Sequence, residues 1–209
     1  MKVGVPLMNK MDPRQLKTQE KLHMAALHIF SKTEHQPTIK DICDVAGITR
    51  PTFYNHYASI DALKEALTAL TLADMKKSLT FTREELKTEF SIEEMPNIFK
   101  KLFSHIEKNW VFYETFLVNR KDKTLCDEIF NILKEYIEKG MDVVQPKVDY
   151  FAPKDLIIHY VSGAYYECIV WWITNKKPYP AEVMYTYMVH LSLKGPYSNI
   201  VSQYIDNKK

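Results

Sequence analysis

Apolar residues recur at helical spacing along almost the whole chain, and this pattern limits the folds available to it. In the segment 15–32, for example, Leu22, Ala25 and Ile29 fall on one face of a helix. The 209 residues include only 5 glycines, and no long stretch alternates apolar and polar residues as a half-buried strand does. The sequence therefore predicts an all-α fold.

Two short helices are predicted near the N-terminus, joined by a glycine. Thr38 is a residue type that caps a helix, and Gly47 suits its end, where a positive φ is common. Thr49 would cap the next helix, 50–56, which has Pro51 in its first turn. Two short helices with a glycine-containing turn, behind a longer first helix, form a helix-turn-helix, whose second helix enters the major groove of DNA. We therefore predict a helix-turn-helix at Thr38–Tyr57.

The rest of the chain reads as a connecting helix and a larger helical domain. Ser59 or Asp61 would cap a fourth helix that ends near residues 77–80. Gly140 is expected in a loop, which a long helix follows from about residue 154 to 175. We predict a DNA-binding head at 1–60, a connecting helix at 61–80, and an effector and dimerisation domain at 81–209.

The N-terminal segment resembles a known family. The stretches AALHIF (25–30), TIKDICDVAGIT (38–49) and PTFYNHY (51–57) are similar to the DNA-binding domain of TetR-family transcription regulators, over about residues 17–70. Tyr113, Phe116 and the segment Tyr160–Trp172 also resemble one C-terminal subgroup of that family. The resemblance implies an all-helical homodimer with an N-terminal reading head.

The resemblance also implies which residues touch DNA. The expected contacts are Thr38, Thr49, Arg50, Pro51, Thr52, Tyr54, Asn55 and His56. Arg50 would bond to guanine and Pro51 would touch a thymine methyl group. Thr38, Tyr54 and His56 would hold phosphates, and Asn55 would reach a base or the backbone. Phe53 and Tyr57 are expected to be core residues of the head.

Two positions depart from the family pattern. Ile60 stands where the family often has Lys, so one backbone contact is expected to be missing. Glu34 stands where a Gly is common, so the connection after the first helix is expected to have a different shape.

The second predicted domain is rich in aromatic residues, which either fill a core or line a pocket for an apolar or aromatic effector. We predict a pocket between the helix at Trp110–Val118 and the long helix after residue 154. Its expected walls are Tyr113, Phe116, Tyr165 and Trp172. Glu114 or Glu167 would be the acid that matches a positive charge on a guest.

The long helix is apolar on nearly every side, so it must be covered on every side. One strip contains Leu156, Tyr160, Gly163 and Trp171, and another contains Ile158, Val161, Tyr165, Ile169 and Trp172. We expect the chain's own core to cover one strip and a second copy to cover the other. The last helix, with Met184, Tyr187, Met188 and Leu191, would complete a four-helix dimer interface.

Other classes of function find no support in the residues. The histidines form no HExxH, no serine lies in a GxSxG setting, and no glycine-rich loop is present, so we expect no enzyme, no metal site and no cofactor. The net charge of +2 does not by itself indicate a nucleic-acid partner. The apolar stretch at 156–174 contains His159 and Glu167, so we expect a buried helix rather than a membrane span, in a cytoplasmic protein.

These observations predict a ligand-responsive transcription regulator, a repressor that binds a palindromic double-stranded DNA operator as a homodimer. The alternative is a DNA-binding regulator whose C-terminal domain docks a partner protein and binds no small molecule. The sequence leaves open the operator, the effector, the regulated genes and the sign of regulation.

Overall fold

A computed structural model describes residues 12–80, 96–144, 150 and 152–195. Within these residues every regular element is a helix and no strand occurs, which confirms the all-α prediction. The chain divides into two compact units between Ala69 and Leu70. That division falls inside the segment 61–80, which the sequence predicts as a connecting helix.

Four helices begin in the first unit. They are α1 (Pro13–Lys32), α2 (Ile39–Ala46), α3 (Arg50–Tyr54) and α4 (Ile60–Ser78), of which α4 continues into the second unit. Helix α2 packs against both α1 and α3. The side chains of Leu22, Ile42 and Phe53 are fully buried, so the predicted apolar faces do meet in a core.

Helix boundaries in the first unit follow its capping residues closely. Ser59 accepts a hydrogen bond from the Ala62 amide, so of the two predicted caps of α4 Ser59 is the one used. Gly47 ends α2 with φ 64° and ψ 42°, the left-handed conformation for which a glycine was expected. Helix α3 ends two residues before the predicted His56. The Phe53 carbonyl there accepts the amides of both His56 and Tyr57, which tightens the last turn.

The second unit contains the end of α4 and five more helices. They are α5 (Pro96–Lys108), α6 (Trp110–Tyr113), α7 (Lys123–Val144), α8 (Lys154–Thr174) and α9 (Ala181–Lys194). A π-helical segment (Glu114–Asn119) follows α6 directly. Helix α5 packs against α9, α7 packs against α8, and α8 also packs against the π-helical segment.

Two features of the second unit differ from the prediction. The predicted helix at Trp110–Val118 is divided into α6 and the π-helical segment, for which the sequence carries no local signal. Helix α7 continues through Gly140 to Val144, so the loop predicted at Gly140 was wrong. A single glycine weakens a helix by about 1 kcal/mol, which packing of the helix along its length can offset.

Helix α8 has one buried and one exposed apolar side. Ile158, Tyr165 and Ile169 are buried, whereas Leu156 is 58% exposed and Tyr160 is 72% exposed. The two strips predicted from the sequence are therefore confirmed as an inward and an outward side of the single chain. Among the described residues, no helix is both long enough and apolar enough to cross a membrane.

Candidate nucleic-acid interface and aromatic core

The short helix α3 has one buried face and one exposed face. Phe53 is fully buried and Tyr57, four residues later, is also buried, which confirms both as core residues. Four other positions are exposed: Arg50, Pro51, Asn55 and Tyr54, of which Tyr54 is 57% exposed. Because the buried pair anchors the helix, four of the eight predicted DNA contacts lie side by side on its free face.

Two threonines organise the start of α3. The Thr52 amide donates to Thr49 Oγ1 at 3.3 Å, and the two threonine hydroxyls lie 2.9 Å apart. Thr49 is exposed and Thr52 is half-buried. This cap holds the first turn of α3, and with it Arg50, in a defined orientation.

Thr38 is engaged within its own helix. Its hydroxyl donates to Asp41 Oδ2 at 2.6 Å, and its backbone amide donates to the same oxygen at 2.9 Å. The Asp41 amide donates to Thr38 Oγ1 at 3.2 Å, which completes a capping box. The bonds from the Thr38 hydroxyl and amide lower the pKa of the Asp41 carboxyl. A phosphate contact by the Thr38 hydroxyl would therefore require it to leave Asp41.

The end of α3 is tied to α1 by a histidine–tyrosine pair. His23 Nε2 lies 2.7 Å from Tyr57 Oη, and burial lowers the pKa of His23. The half-buried His56 ring lies 6.3 Å from the Tyr57 ring, centroid to centroid. The half-buried His56, a predicted phosphate contact, therefore lies beside Tyr57, and Tyr57 is tied to α1 through His23.

The four predicted pocket walls are all buried. Trp172 is fully buried, and its ring lies edge-on to Phe103 at 5.1 Å and to Trp110 at 5.4 Å. Its indole N–H donates to the Tyr179 carbonyl at 2.8 Å. Phe116 is 2% exposed and lies 5.2 Å from Phe112.

The two tyrosines among these walls have hydrogen-bond partners in the chain. Tyr165 Oη lies 2.9 Å from Ser192 Oγ, and burial raises the pKa of Tyr165 to about 12. Tyr113 Oη lies 2.8 Å from His105 Nε2. All four walls lie in the second unit, where Phe112 contacts both Tyr113 and Phe116.

The candidate acid Glu114 is already paired. Lys176 Nζ lies 2.5 Å from Glu114 Oε1, and the neighbouring Lys177 pairs with Glu107 of α5. Both lysines have positive φ, 57° and 58°, in the turn after α8. This turn is therefore fastened to α5 and to the π-helical segment, and a cationic guest at Glu114 would have to compete with Lys176.

Helices α8 and α9 present an exposed apolar strip, formed by Leu156, Tyr160, Trp171, Tyr187 and Leu191. Tyr179 joins its two halves: it stacks on Trp171 with ring centroids 6.4 Å apart and meets Tyr187 edge-on at 5.4 Å. Met184 and Met188 of α9 are buried within the unit. They point into the unit's own core, so the four-residue α9 contribution expected for a dimer is reduced to Tyr187 and Leu191.

Several residues that shape these sites were not predicted. Asp41 carries a local signal, because an acid three residues after Thr38 is a capping-box pattern. His23 and His105 carry none, because their tyrosine partners become neighbours only after the helices pack.

The C-terminal part of the chain matches a known family. Residues 93–194 match the family model TetR_C_8, described as the C-terminal region of transcriptional regulators. A curated relative, the uncharacterized HTH-type transcriptional regulator YxbF of Bacillus subtilis (strain 168), is 25% identical over 179 residues. The match covers 84% of this chain and 44% of the relative, so the chain spans less than half of that protein's length.

Solved structures share the fold. A TetR transcriptional regulator from Streptococcus agalactiae 2603V is similar with a TM-score of 0.62 and 18% identity, over 86% of this chain and 95% of that one. The transcriptional regulator FadR from Bacillus subtilis, solved in complex with stearoyl-CoA, is similar with a TM-score of 0.62 and 16% identity, over 84% and 98% of the two chains. The resemblance at residues 17–70 and the family match at 93–194 concern successive parts of one chain, so similarity to TetR-type transcription regulators extends over both units.

Proposed function

We propose that the chain is a ligand-responsive repressor that binds a palindromic operator as a homodimer. The observation that carries the proposal is the free face of α3, where Arg50, Pro51, Tyr54 and Asn55 stand exposed beside a buried Phe53. A short helix anchored by one face and bare on the other is what a reading helix needs in order to enter the major groove.

Within that helix the residues divide by chemistry. The planar guanidinium of Arg50 suits two parallel hydrogen bonds to guanine, and Pro51 offers an apolar surface to a thymine methyl group. Tyr54, His56 and Thr49 would contact phosphates and so set the position of the helix on DNA. In this scheme Thr38 acts mainly by capping α2, since Asp41 occupies its hydroxyl.

The exposed apolar strip supports the dimer. Its five large side chains are each 45–72% exposed in the single chain, and an exposed apolar surface of this kind is typical of an association surface. A Cβ added at Gly163, between Tyr160 and Trp171, would meet no atom within 4 Å. We propose that a second copy fills that space, so that two reading heads face successive turns of DNA, roughly 34–36 Å apart.

The effector is proposed to be an apolar molecule with an acyl or aromatic body. FadR of Bacillus subtilis shares the fold and was solved with stearoyl-CoA, whose acyl chain is apolar. The buried aromatic side chains around Trp172 and Phe116 would have to move apart for such a guest. Helix α4 runs from the first unit into the second, and the guest would act on DNA binding through it. The guest can shift DNA binding only by its difference in affinity for the two states.

The first experiment tests DNA binding and assembly together. The full chain is titrated into labelled DNA from upstream of its own coding region, and its mass is followed by sedimentation. We expect a dimer and a sequence-selective shift. Gly163→Arg should yield monomers that bind DNA poorly, whereas Asn131→Arg, which adds the same charge at an exposed site of α7, should not. A wild-type monomer at micromolar concentration would contradict the dimer.

The second experiment tests the ligand. Stearoyl-CoA and a set of shorter acyl and aromatic compounds are added to the protein–DNA complex. Coupling of about 1–3 kcal/mol would weaken DNA binding about 5–150-fold. A compound that binds and leaves DNA affinity unchanged would exclude the coupling. If none of the compounds binds, the result favours the alternative, in which the second unit docks a partner protein. A compound that strengthens DNA binding would contradict a repressor that leaves its operator when the ligand binds.

A further inference from the structure

Three side chains in the second unit form a hydrogen-bonded chain that joins three helices. His105 of α5 lies between Asp74 of α4 and Tyr113 of α6, with Nδ1 3.2 Å from Asp74 Oδ2 and Nε2 2.8 Å from Tyr113 Oη. The His105 side chain is 2% exposed and Tyr113 is 1% exposed, whereas the Asp74 side chain is half-exposed. A polar chain of this kind ends at water on one side and in the core on the other.

The Tyr113 hydroxyl has two possible acceptors and one hydrogen. Besides His105 Nε2, it lies 3.7 Å from Sδ of Met75, which is fully buried on α4. When His105 is neutral with its hydrogen on Nδ1, that N–H donates to Asp74 and Nε2 accepts from Tyr113. When His105 is protonated, Nε2–H donates to the Tyr113 oxygen, and the tyrosine hydrogen becomes free to bond to Met75.

Both arrangements give each of the three side chains a hydrogen-bond partner, but they hold α4 differently. The neutral form connects α4 through the Asp74 bond alone. The protonated form turns that bond into an ion pair with the Asp74 carboxylate, and it adds the bond from Tyr113 to Met75. The two proton states therefore hold the end of α4 against α5 and α6 through different sets of bonds.

The surrounding charges act on His105 in opposite directions. Burial lowers the pKa of His105, the Asp74 carboxylate raises it, and the Lys108 ammonium lowers it further. Lys108 also lies 3.8 Å from Asp74, and Asn109 Nδ2 lies 3.4 Å from His105 Nδ1. Helix α9 packs against α5 as well, but the described groups that shift the His105 pKa lie on α4 and α5.

We propose that His105 is a positioning residue for α4, whose proton state selects between Tyr113 bonded to His105 and Tyr113 bonded to Met75. This inference rests on the proposed DNA-binding function, because α4 begins at Ile60 in the first unit and ends in the second. A change in how the end of α4 is held then changes the affinity of the head for DNA. An apolar guest that displaced Tyr113 would act on the same pair of bonds.

The test follows the operator affinity of the full chain against pH. A duplex selected by binding from random-sequence DNA is titrated at fixed salt from about pH 5.5 to about pH 8, the range in which histidine titrates. We expect the dissociation constant of the wild type, relative to that of His105→Gln, to change about 5-fold or more across this range. The glutamine keeps one donor and one acceptor but does not titrate. His190→Gln, which removes an exposed histidine from the same unit, should retain the wild-type profile.

Tyr113→Phe removes the shared hydroxyl and should reduce the pH response, while Asp74→Asn should move the His105 titration seen by NMR to lower pH. Identical pH profiles for the wild type and His105→Gln would overturn the proposal. So would a His105 titration that Asp74→Asn leaves in place. If the wild type binds no duplex at any pH, the proposed function fails, and the NMR titration still decides whether the hydrogen-bonded chain exists.

Discussion

The two units differ in how their helices begin. In the first unit α1, α2, α3 and α4 each start at a residue whose side chain caps the helix: Asp12, Thr38, Thr49 and Ser59. In the described part of the second unit, Asp122 caps α7, but α6, α8 and α9 start at Asn109, Pro153 and Pro180 without a side-chain cap. Local side-chain hydrogen bonds therefore set the starts of the helices in the first unit, whereas several helices of the second unit depend on packing.

The same contrast separates the candidate sites. The predicted DNA contacts are mostly exposed, whereas the four predicted pocket walls are all buried. Each unit places a histidine beside a tyrosine, the half-buried His23 with Tyr57 and the buried His105 with Tyr113. Of these two histidines, His105 is the one paired with a carboxylate. The candidate side chains of the first unit are therefore accessible from outside, whereas those of the second are enclosed.

The largest effect is expected from the core of the second unit. Trp172→Ala removes a fully buried indole and its hydrogen bond to the Tyr179 carbonyl, and should lower the free energy of unfolding by about 3–5 kcal/mol. Urea denaturation measures this, and hydrogen exchange should show faster opening in the second unit. Phe53→Ala is the matched change in the first unit and should accelerate exchange there. Uniform acceleration in both units by either variant would contradict two separate cores.

A smaller effect is expected at the DNA-reading face. Arg50→Ala should weaken operator binding by about 1–3 kcal/mol and relax base preference at one position of each half-site. Tyr54→Phe should weaken binding to all sequences alike, because a phosphate contact carries no base information. Fluorescence anisotropy with operator and scrambled duplexes separates the two. Unchanged affinity and selectivity in Arg50→Ala would remove Arg50 from the interface.

The caps of the first unit should contribute about 1 kcal/mol each. Thr38→Ala removes the hydroxyl from the capping box with Asp41 and should lower the free energy of unfolding by about that amount, measured by urea denaturation. Thr38→Ser keeps the hydroxyl and serves as the control. If Thr38→Ala were as stable as the wild type, local capping would not be what sets the start of α2.

The smallest effect is expected from two histidines, the half-buried His23 and the buried His105. Both have a pKa below the ordinary value of 6.5, His23 by burial and His105 by burial against the opposing effect of Asp74. Their contribution to stability is complete above the ordinary pKa and is lost as pH falls through it toward the folded-state pKa. Urea denaturation at stepped pH should show this loss, reduced in His23→Gln and in His105→Gln. A loss of the same size in both variants as in the wild type would assign it to other groups.

The first unit was largely predictable from residues alone. The helix-turn-helix, the cap at Thr38, the left-handed Gly47 and the burial of Phe53 all follow from patterns within a few residues of one another. The end of α3 was missed by two residues because the bonds of the last turn to the Phe53 carbonyl are not encoded in residue type. The assignment of each α3 residue to a base or a phosphate is still a prediction.

In the second unit the sequence determined that the helices exist and that α8 has two apolar sides, because helical periodicity is a local property. Tertiary packing decided the rest. It turned Met184 and Met188 inward, and it brought Asp74, His105 and Tyr113 together across 39 positions of the chain. The identity of an apolar residue does not specify which neighbour will cover it. A buried hydrogen bond between distant positions forms only where packed helices place donor and acceptor within reach.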